Sequence, residues 1–342
     1  MSRFFVLVVV FGCSGKTEEP PEPTPMVQHQ DLAPTKPTPD AASVAPPAQP
    51  RSVELWPNAP SGSRMIGDWS GSFGTGPGFV YACAGGQVRA APKSGGAVID
   101  RGACGPHGER FLSDGTNMFW CDTRGPMMLA PQGPPRSLVD IADGCIIAAV
   151  DDTHFYYIVP AFEGVPDAGL YRVAKDGSEP TMLLPTRKGV QLMVAVDNDS
   201  IWIGSWGAGT ISRMKKSGGS AQVIVSGQKG IVELLSSTDD IYWFSEDTHE
   251  IRRRNKRGGA ITGVVKNVSD EPIVLHDGTL YWASLEPGQD VRSTLYRLRP
   301  GAPEPTAIMS GLENPELVVD DDGIFVGQNQ KSGVLAIPHD GR

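Results

Sequence analysis

At 342 residues the chain has room for two ordinary domains or for one array of small repeats, each unit too small to stand alone. Its formal net charge of −9 excludes nucleic acid as an expected partner, because phosphate recognition relies on summed positive charge. Gly, Val, Ile and aromatic residues, broken every few positions by Gly, Asp-Gly or Pro, exclude long helices and point to many short strands joined by tight turns.

The chain opens with Arg3, an apolar run from Phe4 to Phe11, then Gly12 and Cys13, followed by a polar stretch, which reads as an export signal. The run is too short to cross a bilayer as a helix. Val10-Phe11-Gly12-Cys13 resembles the bacterial lipobox, although Phe11 stands where that family carries a small residue. The resemblance implies that Cys13 is diacylated and becomes the mature N-terminus, and that the protein is held in the cell envelope by a lipid anchor. With Ser14 rather than Asp after the cysteine, it also implies the outer membrane, at its periplasmic face or the cell surface.

Residues 14–51 hold prolines at 20, 21, 23, 25, 34, 37, 39, 46, 47 and 50, with almost no large apolar side chain. Such a segment cannot bury enough surface to offset its ordering entropy, so it is expected to be a disordered tether. At about 3.1 Å per residue as polyproline II, it reaches up to roughly 100 Å from its anchor.

From residue 52 to 342 one pattern recurs: Asp or Asp-Gly, an aliphatic residue followed by an aromatic, a polar loop, an apolar residue with Arg close behind, and a Lys-x-Gly-Gly-like turn. The steps are Val80-Tyr81, Met118-Phe119, Phe155-Tyr156, Ile201-Trp202, Ile241-Tyr242, Leu280-Tyr281 and Ile324-Phe325, 37 to 46 residues apart. That is a propeller-blade period. In residues 190–227 the strands fall at 191–197, 200–205, 210–216 and 221–226, with Asn198-Asp199 as a hairpin turn. The expected fold is all-β: a propeller of seven blades of four antiparallel strands, with six or eight as the neighbouring counts, reading as a monomer. The last unit lacks an outer strand before Arg342. Residues 52–56 are expected to supply it from the N-terminal side and so leave no open edge, with residues 64–73 as the first blade's inner strand.

Ile241-Tyr242-Trp243 and Leu280-Tyr281-Trp282, each followed by Ile/Leu-x-Arg, resemble the YWTD and NHL-like propellers of receptor ectodomains and bacterial envelope proteins. Phe244-Ser245 and Ala283-Ser284 replace the Thr-Asp half of the motif, and the YWTD family has six blades. The resemblance implies a fold and no particular ligand.

Four cysteines follow Cys13. Cys83 and Cys121 lie 38 residues apart, Cys104 and Cys145 lie 41 apart, so one pair recurs a repeat later. Disulfides Cys83–Cys104 and Cys121–Cys145 are expected, each worth about 3 kcal/mol in the chain-entropy model. The alternative, a four-thiolate metal site, lacks the Cys-x-x-Cys spacing.

Function is less legible. The Asp-rich turns at 151–152, 197–199, 239–240 and 320–322 invite a calcium reading, but hairpin chemistry explains residues that recur in one repeat position. Arg172, Arg213, Arg253 and Arg297, and Lys93, Lys175, Lys216 and Lys256, also recur, and are read as blade-to-blade hydrogen bonds and solvated turn charges rather than an anion-binding ring. The six histidines show no metal-ligand spacing and no Gly-x-Ser-x-Gly occurs, so no catalytic residue, metal or cofactor is assigned.

The loops after each second strand vary most, and such loops on a repeat scaffold carry binding. Phe162 and Trp206 within them, and Arg252 and Arg254 in the basic run at 252–257, are the candidate contact residues. The reading is a non-catalytic binding or scaffolding lipoprotein presenting a propeller face to an envelope protein or glycan. A propeller hydrolase or lyase is the alternative, and would gather acidic groups or histidines with shifted pKa values at the channel, whereas a binder would show an apolar, aromatic patch on one face. A purely structural spacer predicts neither.

Overall fold

A computed structural model describes residues 55–342 apart from 70–71, 106–109, 142–143, 162–164, 166, 269–271, 290, 329–330 and 341–342. Cys13 and the tether at 14–51 therefore lie outside the described residues. Seven sheets, each of four antiparallel strands, form a seven-bladed β-propeller, and no helix occurs among the described residues. Blades 1 to 6 cover residues 73–103, 112–137, 146–185, 192–225, 231–266 and 273–313, each running from inner to outer strand in chain order. Blade 7 takes three strands from residues 315–337 and its outer strand from Arg64–Ile66.

Blade 4 shows why these residues form strands. Leu192–Val196 pairs with Ser200–Ser205, which pairs with Thr210–Lys215, which pairs with Gln222–Val225. Asp197 makes the first turn by accepting the Asp199 and Ser200 backbone N–H groups at 3.0 and 2.8 Å. The second-strand aliphatic-aromatic steps are the core. Ile201 and Trp202 are fully buried, as are Phe155 and Tyr156, Phe119, and Ile324 and Phe325. Between blades 2 and 3, Phe119 stacks on Phe155 with centroids 5.5 Å apart. Each blade thus covers the apolar face of the next.

The ring closes through the N-terminal side, but not with the expected segment. Arg64–Ile66 pairs with Lys331–Ile337 in the register Arg64↔Ala336, Ile66↔Val334, and the inner strand of blade 1 is Phe73–Gly76 rather than residues 64–73. Pro57 and Pro60 follow Trp56 and carry no N–H for a ladder, and Asn58 sits at φ 65°, so the chain turns there instead of pairing. Trp56 packs as an 6 % exposed plug in the core cluster between blades 6 and 7.

Two disulfides are present, Cys83–Cys104 and Cys121–Cys145. The first ties the second strand of blade 1 to the residue leaving its outer strand, and the second ties the second strand of blade 2 to the residue entering blade 3. They flank the blade with the least ladder, since the inner and outer strands of blade 2 are Leu112–Ser113 and Arg136–Ser137.

Candidate functional site

In a four-stranded antiparallel blade, the turns after the first and third strands lie at one end and the loops after the second and fourth lie at the other. The two ends of this ring carry different chemistry.

The turn end is occupied by the repeated Asp, Lys and Arg residues, and they hold blades together. Lys93 Nζ lies 2.5 Å from Asp320 and 2.7 Å from Asp322, Lys216 2.7 Å from Asp151, and Lys256 2.7 Å from Asp197, each lysine reaching to the preceding blade. Lys175 does the same to Asp114. Burial alone would raise the Asp197 carboxyl. The Lys256 ammonium, the Trp202 N–H and two backbone N–H groups more than offset this and hold it at about 2. The outgoing guanidinium groups cap the neighbouring turn: Arg64 donates to Lys93 O at 2.6 Å, Arg101 to Pro131 O at 2.8 Å, Arg172 to Lys216 O and Arg297 to His339 O. The recurring lysines, with Arg172 and Arg297, are thus spent on neighbouring blades, whereas Arg213 bonds Ser200 and Arg253 lies against Asp240 within their own blades.

Exposed apolar residues occur at both ends: Ile99, Met182, Val223 and Ile261 lie at the turn-end starts of outer strands, and a second set lies at the loop end. Ile146, Val190, Trp206, Leu285 and Val291 all lie in or beside loops of this end and are 40 to 48 % exposed. Trp206 is held rather than loose: its indole N–H donates to Glu246 Oε2 of blade 5 at 3.0 Å, and its backbone N–H to Gln191 O. Phe162 lies outside the described residues. Arg252 is bound by Glu250 at 2.8 Å and by Gln228, and Arg254 by Ile224 O and Gly259 O, so both guanidinium groups are already engaged within the ring.

The channel holds groups that the sequence reading passed over. Glu233 lies on the inner strand of blade 5, Glu316 on that of blade 7, and Arg110 precedes the inner strand of blade 2. Burial pushes the Glu316 carboxyl up to about 7, against hydrogen bonds from Phe73 and Ser72 and the charge of Arg110. Burial also raises Glu233, again opposed by Arg110. The charge of Arg110 thus acts on two carboxyls carried by the inner strands of different blades. The signal was readable: Glu233 interrupts the apolar run Ile-Val-Glu-Leu-Leu. At the turn end the channel opens into a cavity of about 510 Å³ lined by Thr75, Lys93, Arg110, Val318 and Asp320. Among the described residues no three His, Cys, Asp or Glu side chains converge as metal ligands.

Fold and site define a seven-bladed β-propeller with a braced loop face. The chain is similar to a streptogramin B lyase structure, with 13 % identity, 80 % of this chain and 96 % of that one covered, and a TM-score of 0.58. It is also similar to a chain of a nidogen/laminin complex, with 13 % identity, 78 % and 85 % covered, and a TM-score of 0.44. No family model and no curated protein matches the chain. At this identity the likeness extends to the propeller fold alone.

Proposed function

We propose that this chain is a non-catalytic binding protein, lipid-anchored at Cys13 and carried on the 14–51 tether, that presents the loop face of its propeller to a protein or glycan of the cell envelope. The observation that carries the reading is Trp206. A large aromatic exposed at 42 %, yet fixed across a blade boundary by Glu246, is a preorganised contact on the face where Ile146, Val190, Leu285 and Val291 are also exposed. The turn end offers less, since its recurring cations are committed to neighbouring blades.

A second reading, a hydrolase or lyase working in the channel, is favoured by Glu233 and Glu316, two carboxyls raised by burial on either side of Arg110's reach. The loop face is preferred because it is built for contact, with an aromatic held open to solvent, whereas the channel carboxyls are accompanied by the Ser72 hydroxyl at Glu316 and by the charge of Arg110.

Trp206→Ala and Glu233→Gln separate the two. Capture of the envelope ligand by the full chain should fall about tenfold or more in Trp206→Ala and stay unchanged in Glu233→Gln. Loss in Glu233→Gln with Trp206→Ala unaffected would move the site to the channel.

A further inference from the structure

The inner strands of blades 7, 1 and 2 are neighbours around the channel, and they wall most of the cavity of about 510 Å³ at the turn end. On blade 7, Glu316, Val318 and Asp320 are half-buried and alternate with the buried Leu317 and Val319, so their side chains face the channel. Blade 1 adds Thr75 to the wall, and blade 6 adds Val274. Arg110 comes from just before the inner strand of blade 2. Gly74 permits its close approach to blade 1: a Cβ there would stand 2.6 Å from both Phe111 Cβ and the Phe111 carbonyl oxygen. Inner strands run from the loop end to the turn end, so the Arg110 backbone lies at the inner limit of a cavity that opens at the turn end.

Two cations line this cavity, and one of them is committed. Lys93 Nζ is held at 2.5 and 2.7 Å by Asp320 and Asp322. Arg110 is exposed, and its guanidinium makes no hydrogen bond or ion pair among the described residues. Its charge reaches Glu233 and Glu316, but burial pushes both carboxyls towards the neutral form, so they cancel it less than ordinary glutamates would. The wall beside it is aliphatic, from Val274 and Val318. Asp321 and Asp322 stand exposed on the rim, Asp321 3.2 Å from His276.

We propose that this cavity binds a small organic monocarboxylate, its carboxylate paired with Arg110 and its apolar body against Val274 and Val318. The site lies at the other end of the ring from Trp206 and does not rest on the loop-face reading. A guanidinium offers a carboxylate two parallel N–H donors, a match that a lysine cannot make. Small-molecule pockets run from roughly 300 to 1,000 Å³, and this cavity falls within that range. The rim carboxylates repel a polyanion, which leaves a ligand with one negative charge at its inner end. An amine would find carboxylates at the rim but a guanidinium behind them.

The test is calorimetric titration of the full chain at about pH 6, where the Glu316 carboxyl is mostly protonated. The probes are phenylpropionate, phenylpropylamine as its counterpart of opposite charge, and acetate as the charge without the apolar body. Expected are a dissociation constant below about 1 mM for phenylpropionate, with the amine and acetate each about tenfold weaker or more. Arg110→Gln should weaken phenylpropionate about tenfold or more, and Arg110→Lys, which keeps the charge without the fork, should fall between it and wild type. Amine binding as tight as the carboxylate, phenylpropionate binding unchanged in Arg110→Gln, or no binding of phenylpropionate would each overturn the proposal and leave the loop-face reading as it stands. Because Arg110 is exposed and unbonded within the ring, its replacement leaves the fold intact, which the circular dichroism of both variants checks.

Discussion

Lys256 in blade 5 places its ammonium 2.7 Å from Asp197 in blade 4, and the same carboxylate oxygen accepts the indole N–H of the buried Trp202 at 2.7 Å. One carboxylate therefore satisfies a turn, an aromatic core residue and the neighbouring blade. Lys93–Asp320, Lys175–Asp114 and Lys216–Asp151 repeat the blade-to-blade part of this contact, and Lys93–Asp320 does so across the closing junction.

Removing Asp197 should be costly. Asp197→Ala leaves Lys256 and the Trp202 N–H without their partner and is expected to destabilise by about 2 kcal/mol or more, read from chemical denaturation. The sign with pH follows from a folded-state carboxyl held down at about 2: its contribution is complete above its ordinary value near 4 and is lost as pH falls from there towards 2. The difference between wild type and Asp197→Ala should accordingly shrink across that acid window. A difference that stays constant would contradict the account.

At the junction of blades 6 and 7 the contact is absent. His276 stands at the Asp position and His339 at the Lys position, and the two rings stack with centroids 5.7 Å apart. His339 also bonds Asp320 O at 2.6 Å, and His276 lies 3.2 Å from the exposed Asp321. The double variant His276→Asp/His339→Lys restores the pair used elsewhere in the ring and should raise the melting temperature by about 2–4 °C, the shift expected for roughly 1 kcal/mol in a domain of this size. An unchanged or lower melting temperature would show that the stacked pair is already as good a joint.

Glu316 makes the opposite prediction in pH. Its folded carboxyl is raised from an ordinary 4.5 to about 7, so the fold binds more protons than the unfolded chain in that window and stability falls as pH rises through it. Glu316→Gln should match wild type near pH 5 and exceed it at pH 8, by at most about 3 kcal/mol. Thermal unfolding at the two pH values reads this directly. Equal gaps at both pH values would mean that Glu316 is ionised throughout.

The disulfides should be unequal in consequence to the rest of the ring. Loss of either costs about 2–4 kcal/mol in the chain-entropy model. Cys121→Ser/Cys145→Ser should also speed amide exchange in Met118–Asp122 of blade 2, whose inner and outer strands are only two residues long. Protection in that strand equal to wild type would contradict this.

The repeat was legible because one aliphatic-aromatic step per blade is forced by burial, and the strand bounds of blade 4 followed from the turn residues around it. The closing strand was misplaced because any short apolar segment near residue 60 satisfies the count, and only the prolines at 57 and 60 argue against 52–56. The recurring lysines, with Arg172 and Arg297, make the blade-to-blade contacts expected of a charge that serves the repeat, while Arg213 and Arg253 bond within their own blades. Glu233 was visible as a charge inside an apolar strand, but its place on an inner strand of the ring exists only once the blades are assembled.

The most direct test of the account is site-specific crosslinking in envelope extracts, with a photoreactive residue at position 206 on the loop end or at position 199 on the turn end of the same blade. A discrete adduct from position 206 and none from position 199 is the predicted result. Adducts from position 199 alone, or from both positions alike, would contradict a binding surface on the loop face.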